Sequence, residues 1–359
     1  MKTRLIPVLG AGGVGKTTTA ASLAAGLARE GARTAVITVD PARRLAGVLG
    51  LESLGNEPRE VFRAPNGGSM SALWLDTRTA FEELVRRTAP RSADRVIEHR
   101  LFKIIQSQLG GVEEYLGVEK VLALGRSGDF DFCVLDTPPS RHALDFLDSP
   151  RHLLKFFDES ILSYFLQDEP LEEKKRGLFS RLVNTGRQQA LEVFRSFLGK
   201  GFLGELGSLL REFRPVQEIF TDRARAIEAW TKADSTRFVL VATYDAYPLD
   251  EVRLLSGELE TRGLPGSRLL VLNKVLPREE PPAESVLAAS LGLEGARSLR
   301  ARWEAERRVR GDIASLFSGE RLPLAEVRRY SVKHLSLEQL EGMGRGIVDA
   351  WRATNSTVF

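Results

Sequence analysis

The sequence predicts an α/β fold: a doubly wound, mostly parallel sheet with an inserted helical subdomain. Two patterns predict it. The runs "LIPVL" (5–9), "TAVITV" (34–39), "ALWL" (72–75), "FCVL" (132–135), "FVLVAT" (238–243) and "LLVLN" (269–273) are apolar throughout rather than alternating. Strands buried on both faces of a parallel sheet read this way. Helix-like stretches separate most of these runs, as in βαβ units.

The first strand leads into "GAGGVGKT", Gly10 to Thr17, which fits G-x-x-x-x-G-K-[ST] with a strand before it and a helix after it. That helix should run to about Glu30, with Leu23 and Leu27 on one face and Gly31 as its stop. Pro7 is a misfit, because proline removes a ladder donor from a central strand. No strand signal occurs in 78–128 or in about 141–235. There "AFEELVRRT", "RVIEHRLFKIIQSQL", "RHLLKFFDESILSYFL", "RGLFSRLVNTGRQQALEVFRSFL" and "VQEIFTDRARAIEAW" space apolar residues by three and four. These stretches predict the helical subdomain, within a single domain spanning 1–359. "QDEPLEEKKRG", 167–177, reads as an exposed loop inside it. Near the C-terminus Leu337, Leu340, Met343, Ile347 and Trp351 share one helical face. Only Arg345 and Arg352 lie within that helix, too few for a membrane-surface helix, so it is expected to cover the sheet.

Composition excludes several functions. The net charge is +3, with 40 arginines, 11 lysines and no long basic run, so nucleic-acid binding is not expected. The single cysteine, Cys133, allows neither an internal disulfide nor a CxxC pair. A reducing, cytoplasmic location follows as the expectation. No apolar run approaches the ~18 residues of a membrane span. Any peripheral membrane contact is expected only through a bound partner.

The chemistry is concentrated at strand ends, the side of an open α/β sheet where ligands bind. Gly10, Gly12, Gly13 and Gly15 let the backbone of Ala11 and Val14 turn its N–H groups around phosphates, and Thr17 and Thr18 open a helix whose N-terminus adds positive potential. Lys16 is placed to reach the β- and γ-phosphates, and the Thr17 hydroxyl to bind Mg²⁺. Asp40 follows the second strand and Asp136 the fourth. Phosphoryl transfer to water needs a held metal and an oriented nucleophile, and we assign Asp136 to magnesium, through water, and Asp40 to the attacking water. Arg43 and Arg44 read as a solvated pair or as charge sensors. His142, shortly after Asp136, reads as a packing or hinge residue rather than a catalytic one. A single phosphate loop means one nucleotide per chain.

The loop "GAGGVGKTTTA", the "DPA" segment at Asp40 and "DTPPSRHALDFLDSP" together resemble the arsenical-pump ATPase family, which includes the guided-entry targeting factors for tail-anchored membrane proteins. The likeness continues through "FVLVATYDAYPLDEVRLL" and "LLVLNKV". It implies a P-loop NTPase fold of the deviant type and a dimer, homodimeric or heterodimeric, that hydrolyses ATP with Mg²⁺. Asp40 matches the family's catalytic residue and Asp136 its second switch. Asn273 matches the adenine-contacting asparagine, Asp245 or Glu251 the acid that meets nucleotide across the dimer, and Pro323 the adenine-loop proline. ATP is implied over GTP, since "NKVL" lacks the aspartate of the guanine motif.

Three departures qualify the resemblance. The family's signature lysine, which crosses the dimer to the γ-phosphate, is Ala11 here. Losing such a charge costs a homodimer ~10²- to 10³-fold in rate. The family's arsenite site and its zinc clamp both need cysteines this chain lacks, so arsenite efflux and zinc are not expected. The helices at 141–235 carry "LLKFF", "ILSYFL" and "VFRSFLGKGFL" but no methionine, and serve either as an ordinary core or as a groove for a hydrophobic membrane-protein client. Two functions follow: a targeting or chaperone-like ATPase, or a weakly hydrolysing regulatory subunit paired with a lysine-retaining paralogue.

Overall fold

In the computed structural model the described residues are 2–39, 44–76, 79, 82–83, 85–86, 90, 93–98, 112–138, 222–264, 268–316, 322–330 and 335–353. In chain order the elements are β1 (Arg4–Gly10), α1 (Lys16–Arg29), β2 (Arg33–Thr38), α2 (Arg44–Val48), β3 (Arg59–Arg63), β4 (Ser69–Trp74), α3 (Ala93–Glu98), α4 (Val112–Ser127) and β5 (Phe132–Asp136). After a helical stretch at 222–231 come β6 (Phe238–Ala242), α5 (Ala246–Thr261), β7 (Arg268–Val275), α6 (Glu284–Leu316, broken at Gly292), β8 (Leu324–Arg328) and α7 (Leu337–Arg352).

The eight strands form one sheet in the order β3-β4-β2-β5-β1-β6-β7-β8. Only β3 pairs antiparallel, with β4; the other pairs are parallel. The six runs legible in the sequence are all strands. The two they omit, β3 and β8, are the sheet's edges, where "REVFR" and "LAEVR" mix charge with apolar residues because edge strands keep one side in solvent. Pro7 fits because β1 pairs β5 through it, Pro7 opposite Leu135, while the ladder with β6 begins only at Val8 opposite Val239. Its missing donor therefore precedes that ladder.

Alternate residues of each strand face opposite sides. Ile6, Val8, Val36, Val134, Val239, Val241 and Val271 join α1 and α7 in one apolar cluster. The intervening Leu5, Leu9, Ile37, Leu135, Leu240 and Leu272 are equally buried, outside that cluster, and α5 packs against β1 and β6 with Leu249, Val252, Leu255 and Leu259 inward. Burial on both faces is why the strand sequences do not alternate. α1 stops as its sequence requires: Gly31 takes φ 99° and the Ala32 N–H donates to the Leu27 carbonyl at 3.2 Å. The last helix covers α1 and β8, burying Leu340, Met343, Ile347, Val348 and Trp351, while Leu337 in its first turn stays exposed. A capping box between Ser336 and Gln339 opens it. Cys133 is fully buried, and burial pushes its thiol up to about 12. It is an inert core residue.

The chain divides into two compact units, 1–77 with 117–148 and 226–359, and 78–116 with 149–225. The sheet-bearing unit thus keeps 117–128 and 226–235, which the helical periodicity alone groups with the insertion. Hydrogen bonds to the start of β1 explain this. Thr3 donates its hydroxyl to the Gly125 carbonyl at 3.0 Å, and the Trp230 indole donates to the Thr3 carbonyl at 3.1 Å. Trp230 occupies the space of a side chain at Gly125, where an added Cβ would lie 2.4 Å from the ring. The phenylalanine-rich segments at 141–221 lie outside the described residues. Among the described residues no helix is long and apolar enough to cross a membrane.

One polar cluster ties the exits of β6 and β7 to α6 and β8. Glu326 accepts from the Tyr244 hydroxyl at 2.5 Å, from Arg310 at 2.8 Å and from Arg278 at 2.9 Å, and Arg310 also stacks on the Tyr244 ring. Burial pushes the Glu326 carboxyl up, but hydrogen bonds from Tyr244, Arg278 and Arg310 outweigh it and hold the group below its ordinary value. Burial, and then the bond to Glu326, push the Tyr244 phenol far up. A depressed carboxylate contributes stability that is fully present above its unfolded value and is lost as pH falls through the folded one. The melting temperature should therefore fall on acidification below pH 4.5, the ordinary glutamate value. Glu326→Gln should flatten that part of the profile; an unchanged acid limb would show that other carboxylates set it.

Candidate functional site

The phosphate loop joins β1 to α1 at the carboxyl edge of the sheet. Three of its glycines have backbones that L-residues rarely adopt, with φ 151° at Gly10, 77° at Gly13 and 98° at Gly15. A Cβ on Gly10 would lie 2.2 Å from the Val241 carbonyl oxygen, and one on Gly15 would lie 2.2 Å from Asn273 Nδ2. At Gly10 a side chain is barred by space as well as by torsion, and at Gly15 it is opposed by torsion and would displace the Asn273 amide. Val14 is buried in the core and anchors the loop from beneath, while Gly12 and Gly13 are exposed. The Lys16 ammonium donates to the carbonyls of Gly10 and Ala11, each at 2.9 Å, so the loop wraps its own cation.

The exit of β5 lies beside β1 and β2, and this register brings Asp136 to the start of α1. Asp136 is 1% exposed. Its Oδ2 accepts from the Thr17 hydroxyl at 2.8 Å and from the Thr38 hydroxyl at 2.9 Å. The next residue, Thr137, donates its hydroxyl to the Val8 carbonyl at 2.8 Å and pins the strand exit to β1. A threonine hydroxyl beside a carboxylate is an all-oxygen donor set that suits Mg²⁺, which keeps waters and takes phosphate oxygens rather than a protein cage.

β7 closes the site from the other side. Asn273 is buried within that strand; its amide nitrogen donates to the Val14 carbonyl at 2.9 Å. Asp245 stands exposed at the exit of β6, at the N-cap position of α5 but without a capping hydrogen bond from its side chain, which accepts instead from the Thr243 hydroxyl at 2.7 Å. Glu251 lies in the second turn of α5, so of the two acids Asp245 is the one at the strand edge that carries the loop.

Pro323 requires correction. It immediately precedes β8, and its carbonyl accepts from the Leu270 N–H at 2.8 Å, near the beginning of β7. In a parallel sheet this is the edge opposite the phosphate loop, about 16 Å away along a five-residue strand. A proline before a strand is where its missing donor does least harm, and that role explains it. The chain returns to the site's edge only after Arg328.

Asp40, Arg43 and His142 lie outside the described residues. Arg44 opens α2 and is exposed. Ala11 is 1% exposed and belongs to the apolar cluster around α1. Thr18 is half-buried in the first turn of α1. Two residues that motif reading overlooks are Thr38 and Lys274, whose ammonium donates to the Gly13 carbonyl at 2.7 Å. "TVD" draws attention only to its aspartate, and "NK" only to its fit with a guanine motif. The one local trace of Thr38 is a hydroxyl at the last position of β2, and it does not stand out in a strand that also carries Arg33 and Thr34.

A glycine-rich turn that leads a buried strand into a helix, with a lysine inside it and a hydroxyl–carboxylate pair beside it, defines a phosphate-loop nucleotide-binding protein. Residues 3–347 match the anion-transporting ATPase family, and the chain belongs to that family. It is similar to the ATPase GET3 of Malassezia globosa, 26% identical over 267 residues, covering 74% of this chain and 71% of the relative. It is also similar to the putative arsenical pump-driving ATPase 2 of Aquifex aeolicus, 25% identical with 79% and 84% covered. The ATPase GET3C of Arabidopsis thaliana is 26% identical, with 76% and 66% covered.

Proposed function

We propose that the chain binds ATP with Mg²⁺ and hydrolyses it to ADP and phosphate, in a dimer whose nucleotide state governs binding of a hydrophobic membrane-protein client. The observation that carries this reading is the convergence of the Lys16 loop with the Asp136–Thr17–Thr38 cluster on one strand edge. Lys16 turns from the loop carbonyls to the β- and γ-phosphates. Thr17 and Asp136 hold the metal, Asp136 through water; when bound, the ion neutralises charge on the phosphate oxygens. Asp40 orients the attacking water, and Asn273 and Asp245 bound the nucleotide. The arsenical and GET3 names of the relatives support an energy-coupled role, and the lone buried cysteine opposes a cysteine-built arsenite site. Phosphate release by the purified chain with Mg²⁺-ATP tests the chemistry, and absence of nucleotide binding would sink it. Capture of an apolar helix that depends on nucleotide and is lost on mutating Phe156, Phe157 and Phe165 tests the client.

The burial of Ala11 favours a second reading, in which the chain hydrolyses weakly alone and pairs with a lysine-retaining paralogue. Its methyl is in the core, so the position presents no group to a partner's nucleotide. For the same reason Ala11→Lys is expected to destabilise the fold by about 1–3 kcal/mol, through overpacking and desolvation of the ammonium. A thermal melt of that variant checks this cost. The cleaner test of pairing is turnover with a lysine-bearing paralogue added. Vigorous hydrolysis by the lone wild type with no gain from the paralogue would remove this reading.

A further inference from the structure

Among the described residues, Lys274 is the one non-glycine with positive φ, at 59°. Glycine adopts this left-handed backbone freely, and a lysine does so only when its surroundings hold it. The holding contacts are local and all reach the phosphate loop or the preceding residue. The Asn273 side-chain carbonyl accepts from the Lys274 N–H at 2.8 Å and closes the turn. Asn273 Nδ2 then reaches the Val14 carbonyl at 2.9 Å, and Lys274 Nζ the Gly13 carbonyl at 2.7 Å. Two consecutive residues of β7 thus grip two consecutive carbonyls of the loop.

We infer that Lys274 is a positioning residue for the nucleotide's phosphates, acting through the loop backbone; this rests on the nucleotide-binding reading above. In a trans peptide the C=O and the following N–H point in opposite directions, and the described residues contain no cis bond. Fixing the Gly13 carbonyl towards β7 directs the Val14 N–H away from it, and fixing the Val14 carbonyl does the same for the Gly15 N–H. Until it turns to the phosphates, Lys16 sets the Ala11 and Gly12 N–H groups in the same manner, through the carbonyls of Gly10 and Ala11. Two lysines and an asparagine therefore orient four of the five peptide planes between Gly10 and Gly15, in a stretch whose glycines would otherwise leave them free. Ordering such a loop on binding costs entropy, and a loop already ordered avoids that cost. The clamp acts on amides shared by di- and triphosphates, so its loss weakens both equally.

The test is the affinity of the full chain for ATP and for ADP, by calorimetry, in wild type, Lys274→Gly, Lys274→Met and Lys274→Arg, with a thermal melt of each. Lys274→Gly relieves the left-handed backbone and should melt no lower than wild type, yet bind both nucleotides about tenfold more weakly, the usual scale of a charge-assisted hydrogen bond. Lys274→Met, which keeps the strained backbone, should lose the same factor; Lys274→Arg, which keeps a cationic donor, should restore most of it. Unchanged affinity in the glycine and methionine variants overturns the inference while leaving nucleotide binding intact. A loss confined to ATP also overturns it, because the ammonium would then act on the third phosphate directly. Wild type that binds neither nucleotide removes the parent reading instead.

Discussion

Gly344→Ala should lower the melting temperature by roughly 5 °C or more, from a loss of at least about 4 kcal/mol. α7 crosses α1 with backbone against backbone at this point. A Cβ at residue 344 would lie 1.8 Å from the Ser22 carbonyl oxygen and 2.8 Å from the Gly26 nitrogen, and one at residue 26 would lie 2.5 Å from the Gly344 carbonyl carbon. None of these atoms ends a flexible side chain, so the helices must separate. Separation loosens Trp351, Ile347 and Met343, which α7 buries against the apolar cluster. Gly346→Ala is the control: it stands two residues away on the same helix with nothing within 4 Å of its Cβ position. There alanine should stabilise by about 0.5–1 kcal/mol through helix propensity alone. Differential scanning calorimetry of the two variants checks both signs. Equal melting temperatures would mean that the close approach carries no energetic weight.

This helix contact also shows what a sequence discloses and what it withholds. Leu340, Met343, Ile347 and Trp351 mark the inward face of α7 by their spacing, and that face is buried. The spacing does not reveal that Gly344 is needed, because a glycine in an amphipathic helix looks like a weak point until the opposing backbone is known. The strands divide in the same way. Those buried on both faces are continuous apolar runs and are legible one by one, whereas β3 and β8, at the edges, carry charge and merge with loop sequence. At the site, the loop and Asp136 are legible because their chemistry demands fixed residue types at strand ends. Lys274 and Thr38 are not, because each acts by gripping a backbone or a carboxylate that lies far away in the chain, and no local pattern records that. Pro323 misleads for the complementary reason: a proline near a late strand suits either edge of the sheet, and only the strand's direction tells which.

Asp136→Asn should reduce Mg²⁺-dependent phosphate release by about 10²-fold or more, the scale of removing one preorganised charge from a phosphoryl-transfer site. The amide has the shape of the carboxylate, and the fold should tolerate it. Thr17 and Thr38 each donate to Oδ2, and a hydroxyl that meets the amide's nitrogen can rotate to accept. The melting temperature should therefore move by only a few degrees. What disappears is the negative charge that Thr38 and Thr17 hold beside the start of α1. Affinity for ADP measured without Mg²⁺ should persist, since the Lys16 loop is untouched, while the dependence of turnover on Mg²⁺ concentration should shift to higher values. Thr38→Val separates charge from orientation: it leaves the carboxylate but removes one of the two threonine hydroxyls that donate to it, so its effect should be several-fold rather than a hundredfold. Wild-type turnover in Asp136→Asn would exclude the carboxylate from metal binding, and the Thr17 hydroxyl would then need another acidic partner, for which Asp40, two residues after Thr38 in the sequence, is the residue to test next.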